Sequence, residues 1–121
     1  LEPLFERALR LPGVTAWVGA NDTVAARALW FLQRAGHRVP SGMSVAGFDD
    51  SEEAFRQNLT SYNWNNAGVM GAVVTYLLDW RPRAKRDTGA DVVEIEGFIS
   101  HKGTVGPARA AVERGSDGSR G

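Results

Sequence analysis

The chain has 121 residues, of which 43% are hydrophobic and 23% charged; that length excludes a second full domain, and that balance excludes disorder throughout. Fourteen Lys plus Arg stand against fourteen Asp plus Glu, so no overall field exists to hold a nucleic acid backbone or an anionic membrane. The absence of cysteine removes disulfides, zinc-thiolate sites and cysteine nucleophiles together.

The first predicted element is a helix over Glu2 to Arg10, with Leu4, Phe5, Ala8, Leu9 and Leu11 at amphipathic spacing and Pro12 and Gly13 as its stop. Val14 to Val18 then reads as a short strand buried on both faces, ending at Gly19 and Ala20. Asn21 or Asp22 caps a second helix whose apolar face is Ala25, Ala28, Leu29 and Leu32 and whose left-handed stop is Gly36. Met43 to Phe48 is a second strand closed by Asp49 and Asp50, and Ser51 caps a short helix with Glu52 and Glu53 in its first turn and Ala54 and Phe55 facing inward.

Leu59 to Tyr62 is a third strand, and Asn65 or Asn66 opens a longer helix with a stripe of Val69, Met70, Val73, Val74 and Leu77, ended by Pro82. Residues 81 to 90 read as a polar connection, Asp91 to Ile99 as an exposed edge strand with alternating Val93, Glu94, Ile95 and Glu96, and residues 106 to 121 as a disordered tail. Residues 1 to 105 then form the folded part. Alternating strands and helices of these lengths require crossover connections, which predicts the α/β class: an open parallel sheet with helices on both faces. No apolar run reaches the roughly 18 residues needed to span a bilayer, so a soluble protein without a membrane partner is expected. The chain begins at Leu1 with neither an initiator methionine nor a leader, which reads as a piece of something longer.

In an open parallel sheet, ligands sit outside the carboxyl ends of the strands. Three polar clusters fall there: Asn21 and Asp22, Asp49 and Asp50, and Asn63, Trp64, Asn65 and Asn66. Amide donors and acceptors, carboxylate acceptors and a flat indole face together suit a neutral polyhydroxylated ligand such as a sugar or nucleoside. Each cluster also has a simpler use. Asn21 and Asp22 serve as helix caps, Asp49 and Asp50 as turn residues or two carboxylates of a divalent-metal site lacking a third, and Trp64 as packing.

Catalytic signatures are missing. There is no G-x-S-x-G elbow, no phosphate-cradling G-x-x-x-x-G-K and no G-x-G-x-x-G after a strand. His37 and His101 read as solvated surface histidines, and Arg81, Arg83, Lys85 and Arg86 as a solvated basic loop. No enzyme activity, catalytic residue, metal or cofactor is therefore expected.

The run VTAWVGANDTVAARALWFLQRAGHRVPSGMSVAGFDD, followed by LTSYNWNNAGVMGAVVTYLLD, resembles the carboxyl-terminal lobe of the effector-binding domain of the lactose-repressor/galactose-repressor type of bacterial transcription regulators. The specific parts are Ala-Asn-Asp at 20 to 22, Arg-Val-Pro at 38 to 40, Ser44 to Asp50, and Leu59 with Thr60. The resemblance implies one lobe of a two-lobed, periplasmic-binding-protein-like (type I) fold that closes on a small effector. It also implies a cytoplasmic homodimer whose operator DNA is held by a domain absent from this chain, with effector binding coupled to operator affinity. By position, Asn21 looks like the family's crevice amide and Asp49 like its ligand carboxylate, while Trp64 stands where the family more often has glutamine. Ser51, Glu52, Phe55 and Arg56 fall where the family pairs its subunits. Residues 100 to 104 lack the arginine that family members usually carry there. A lobe of a periplasmic sugar-binding protein serving a transporter is the alternative from another class, with a flavodoxin-like enzyme as a third; the upstream sequence separates the first two.

Overall fold

In a computed structural model, the structure describes residues 1–78 and 92–108. Eight elements follow in the order α1 (Glu2–Leu9), β1 (Ala16–Val18), α2 (Asp22–Arg34), β2 (Ser44–Phe48), α3 (Glu52–Arg56), β3 (Thr60–Asn63), α4 (Asn66–Leu78) and β4 (Phe98–Ser100). The strands form one sheet in the order β1-β2-β3-β4. The first three are parallel, and β4 pairs antiparallel with β3, Tyr62 opposite Ile99. The expected open parallel sheet is thus present in β1 to β3, and β4 adds an antiparallel edge that makes the whole sheet mixed.

Local signals account for the element ends. Asn21 is extended (φ −154°), and its Oδ1 accepts from Val24 N at 2.9 Å, capping α2. Gly36, at φ +82°, closes the same helix in the left-handed region that costs glycine least. Ser51 caps α3 through a 3.3 Å bond from Ala54 N to its hydroxyl.

Register partners on adjacent strands share a face, so Trp17 and Val45 point the same way. On that side lies the core: Ala25, Leu29 and Leu32 of α2, Val45, Ala54 of α3 and Leu59, with Leu9 and Trp17 packed against it. Phe5 of α1 stacks on Trp17 at 5.6 Å, and Phe31 of α2 lies 5.4 Å from Phe5, so α1 is tied to both β1 and α2. The opposite face carries Val18, Phe48, Tyr62 and Ile99 by alternation, and Val18 and Ile99 are exposed.

Several expectations need correction. β1 was expected to be buried on both faces, yet Ala16 and Val18 are exposed because the strand lies at the sheet edge. Phe55 does not face inward: it is 76% exposed, and only Ala54 of α3 is buried. In five residues, α3 has too short an inward arc for both. The predicted edge strand over 91 to 99 shrinks to Phe98–Ser100, and residues 92–97 form no strand. The last helix forms where expected, but none of its residues is buried.

The polar connection at 81 to 90 and residues 109 to 121 of the predicted tail lie outside the described residues. Gly106, placed in that tail, is held to the sheet, its N–H donating to Ser44 Oγ at 3.1 Å. Just before it, buried Thr104 accepts from Thr60 N at 2.9 Å and donates to the Val45 carbonyl at 2.7 Å, while its own carbonyl accepts from Val45 N at 2.8 Å. This segment thereby wedges between the entering ends of β2 and β3.

Candidate functional site

The parallel strands β1, β2 and β3 end side by side, so the loops at Asn21, at Asp49–Asp50 and at Trp64 form one continuous rim. Each of the three residues singled out in the sequence is on it. Their side chains nevertheless have unequal freedom.

Asn21 is exposed, but its carbonyl oxygen is committed to the α2 cap. Only its amide nitrogen remains for another partner. Asp22 is turned away from the rim and is 2% exposed. Its Oδ1 accepts from the Ser61 hydroxyl at 2.6 Å and its Oδ2 from Ser51 N at 2.7 Å. Gly47 makes this approach possible, because a Cβ there would collide with Asp22 Oδ1 and press on Ala25.

Asp49 and Asp50 both sit at positive φ, +103° and +46°. Aspartate tolerates that region better than most residues, although still at a cost. Their carboxylates diverge in role. Asp49 is exposed, and Trp64 Nε1 donates to its Oδ1 at 3.1 Å. Asp50 is largely enclosed: Lys102 Nζ lies 2.6 Å from Oδ1, and Asn63 Nδ2 donates to Oδ2 at 2.9 Å. The hydrogen bond from Lys102 holds the Asp50 carboxyl below the ordinary aspartate range, overcoming the opposing effect of burial, with help from Asn63 and Ser100. With both its oxygens engaged, Asp50 does not join Asp49 in a two-carboxylate metal pocket.

Trp64 is about half exposed. Its ring stacks on Phe48 at 5.7 Å and meets Tyr62 edge-on at 4.9 Å, so the indole is braced from behind and from the side. The neighbouring asparagines are absorbed locally. Asn63 Oδ1 accepts from Asn65 N, while Asn65 caps α4 through Gly68 N and donates to the Glu96 carbonyl. What the rim offers a ligand is therefore Asp49 Oδ2, the Trp64 ring and the Asn21 amide.

Sequence reasoning missed Lys102 and Ser61. Both act on groups far away in the chain, and neither falls in a local motif; Lys102 lies within the segment noted only for lacking an arginine. Of the subunit-pairing residues suggested by resemblance, Phe55 is exposed and Arg56 pairs with Glu52 at 2.6 Å on the open side of α3, one turn apart. Ser51 is used as the α3 cap.

Residues 2–97 match the profile of the periplasmic binding protein-like domain. The chain belongs to this family. Among solved structures, a transcriptional regulator of the LacI family from Burkholderia phymatum is 28% identical with a TM-score of 0.61; the match covers 87% of this chain and 37% of that one. For a LacI transcriptional regulator from a Rhodococcus species the values are 28%, 0.66, 86% and 38%. The transcriptional regulator CelR, solved as a cellobiose complex, is 26% identical with a TM-score of 0.57, covering 85% of this chain and 31% of that one. No curated protein sequence matches significantly. Within the family, the chain matches part of a LacI/GalR effector-binding domain and spans less than two-fifths of those regulators. Among the described residues, no helix is long and apolar enough to cross a membrane.

Proposed function

We propose that this chain is the effector-sensing lobe of a bacterial transcription regulator, and that Asn21, Asp49 and Trp64 form its half of the ligand cleft. The observation that carries the reading is the pairing of Asp49 with Trp64. One carboxylate oxygen is oriented by the indole N–H, the other is open to a ligand hydroxyl, and the braced ring beside them supplies an apolar surface. A sugar ring has the matching pair of features, hydroxyls around its edge and a C–H face that lies on an aromatic plane. The cellobiose held by CelR supports the same ligand class.

In this reading the effector bridges two lobes and favours the closed state by its differential affinity. Closure then changes operator affinity through a DNA-reading domain outside this chain, in a cytoplasmic homodimer. Exposed Phe55, with Glu52, Arg56 and Ser51 around it, is the proposed pairing surface. The role is sensing rather than catalysis, in keeping with the transcriptional regulators among the structural relatives. The regulators among the structural relatives favour this over a transport receptor.

Saturation-transfer NMR of the 121-residue chain with cellobiose, a panel of monosaccharides and nucleosides tests the ligand arm. Binding is expected in the millimolar range, since half the contacts are missing, and is expected to vanish in Asp49→Ala. A panel with no binder, or micromolar affinity unaffected by Asp49→Ala, contradicts the reading.

A further inference from the structure

The rim contains two adjacent aspartates at positive φ, a conformation that glycine adopts more easily. A loop needing only to turn there would not require two carboxylates. The ion pair beneath Asp50 is also a poor choice for stability alone, because enclosed pairs recover little beyond their desolvation. Lys102 is only 12% exposed in its side chain, and Asp50 18%. Around them the polar groups are matched: Lys102 Nζ reaches Ser100 Oγ at 3.0 Å, Lys102 N donates to Thr60 Oγ1 at 3.0 Å, and Asp50 N donates to Ser61 Oγ at 3.0 Å.

Asp50 is thus gripped at its backbone by β3 and at its carboxylate by β3 and the segment after β4. Among the described residues, its neighbour Asp49 is held by a backbone bond from its N–H to the Tyr62 carbonyl at 2.9 Å and by the Trp64 indole contact. The side chain of Asp49 can therefore hold its direction only if the peptide plane behind it does.

The geometry points to Lys102 as a positioning residue for the ligand cleft: by clamping Asp50 in the left-handed region it sets the direction in which Asp49 presents its carboxylate to Trp64. The assignment rests on the reading of Asp49 as a ligand group for its purpose, but its geometric content does not depend on any ligand. Enclosure of the ammonium keeps it from reaching an effector itself, so its effect passes through the backbone.

The test is made on the free 121-residue chain. The indole N–H signals of its four tryptophans are recorded by nitrogen-15 NMR, with Trp64 assigned by its loss in Trp64→Phe. The Trp64 signal is expected to be displaced downfield by its bond to Asp49. In Lys102→Met it is expected to move to the position of a free indole while the Trp17 signal stays, and Lys102→Arg is expected to restore it. A folded Lys102→Met protein with an unmoved Trp64 signal overturns the proposal.

If Lys102→Met does not fold, Asp50→Asn decides by the same criterion. Failure of both to fold overturns it too, since Lys102 would then hold the lobe together rather than aim its rim. The ligand reading fails separately, if no sugar or nucleoside perturbs the Trp64 signal of the unsubstituted chain.

Discussion

Asp22 and Ser61, 39 positions apart, meet in a 2.6 Å hydrogen bond beneath the rim. The bond joins the first turn of α2 to the middle of the sheet, and the same carboxylate reaches the N-terminus of α3 through Ser51 N. The acidic residue of the Asn21–Asp22 pair is thus a fastening between three elements, while its neighbour Asn21 remains at the surface.

Asp22→Ala is expected to lower the unfolding free energy by about 3 kcal/mol, because a charge-assisted acceptor is lost and two enclosed donors are left unmatched. Urea denaturation followed by far-UV circular dichroism measures it. A loss below about 1 kcal/mol would show that water replaces the carboxylate without penalty.

Gly47→Ala tests the same joint from the other side. The added methyl would occupy the space now held by Asp22 Oδ1, and overpacking of this kind costs about 1–3 kcal/mol. A lower urea midpoint with an unchanged denaturant slope is the expected result.

Asp49→Gly is expected to separate stability from binding. Glycine relieves the φ of +103°, worth about 1 kcal/mol or more, and removes the carboxylate that Trp64 orients. The variant should therefore unfold at higher urea than the parent chain yet lose its sugar signal in NMR. A less stable variant would mean that the Trp64 contact outweighs the backbone cost.

The Asp50 carboxyl provides an acid-sensitive element. Its folded pKa lies below the ordinary aspartate value, so the folded state favours the ionised form. The resulting stability is complete above the unfolded pKa of about 3.9 and declines as the pH falls through that value toward the lower folded one. Asp50→Asn should flatten this acid limb in urea titrations between about pH 5 and pH 2; an acid limb as steep as that of the parent chain would show that the Asp50 carboxyl does not carry it.

The order of elements was legible because it is written in local signals. Cap residues at Asn21 and Ser51 and the stop at Gly36 all act within a few positions, and each is used as expected. The rim was legible for a related reason: parallel strands bring their carboxyl ends to one side whatever the sequence between them. Burial was read less well. Val18 and Phe55 are apolar residues on elements that the described chain leaves uncovered, and no local pattern distinguishes an edge strand or a one-sided short helix from a central one. Ser61, bound by Asp22, and Lys102, bound by Asp50, lie 39 and 52 positions away in sequence, so only the assembled sheet could have revealed them. Strand β4 was displaced for the opposite reason: the alternation of Val93 to Glu96 is a strong pattern, but pairing with β3 falls on Phe98–Ser100.

The bonds that close the rim and the sheet beneath it run between β2, β3 and the loop after β2 on one side and the chain from Phe98 to Gly106 on the other. Ser61 with Ser100, Asp50 with Lys102, Val45 and Thr60 with Thr104, and Ser44 with Gly106 all cross that divide. The lobe can accordingly be regarded as a receptor and an insert that happen to share a polypeptide: a synthetic peptide covering residues 98 to 106 carries the insert's half of these bonds, making it a natural starting point for split-protein complementation with a reporter on each piece.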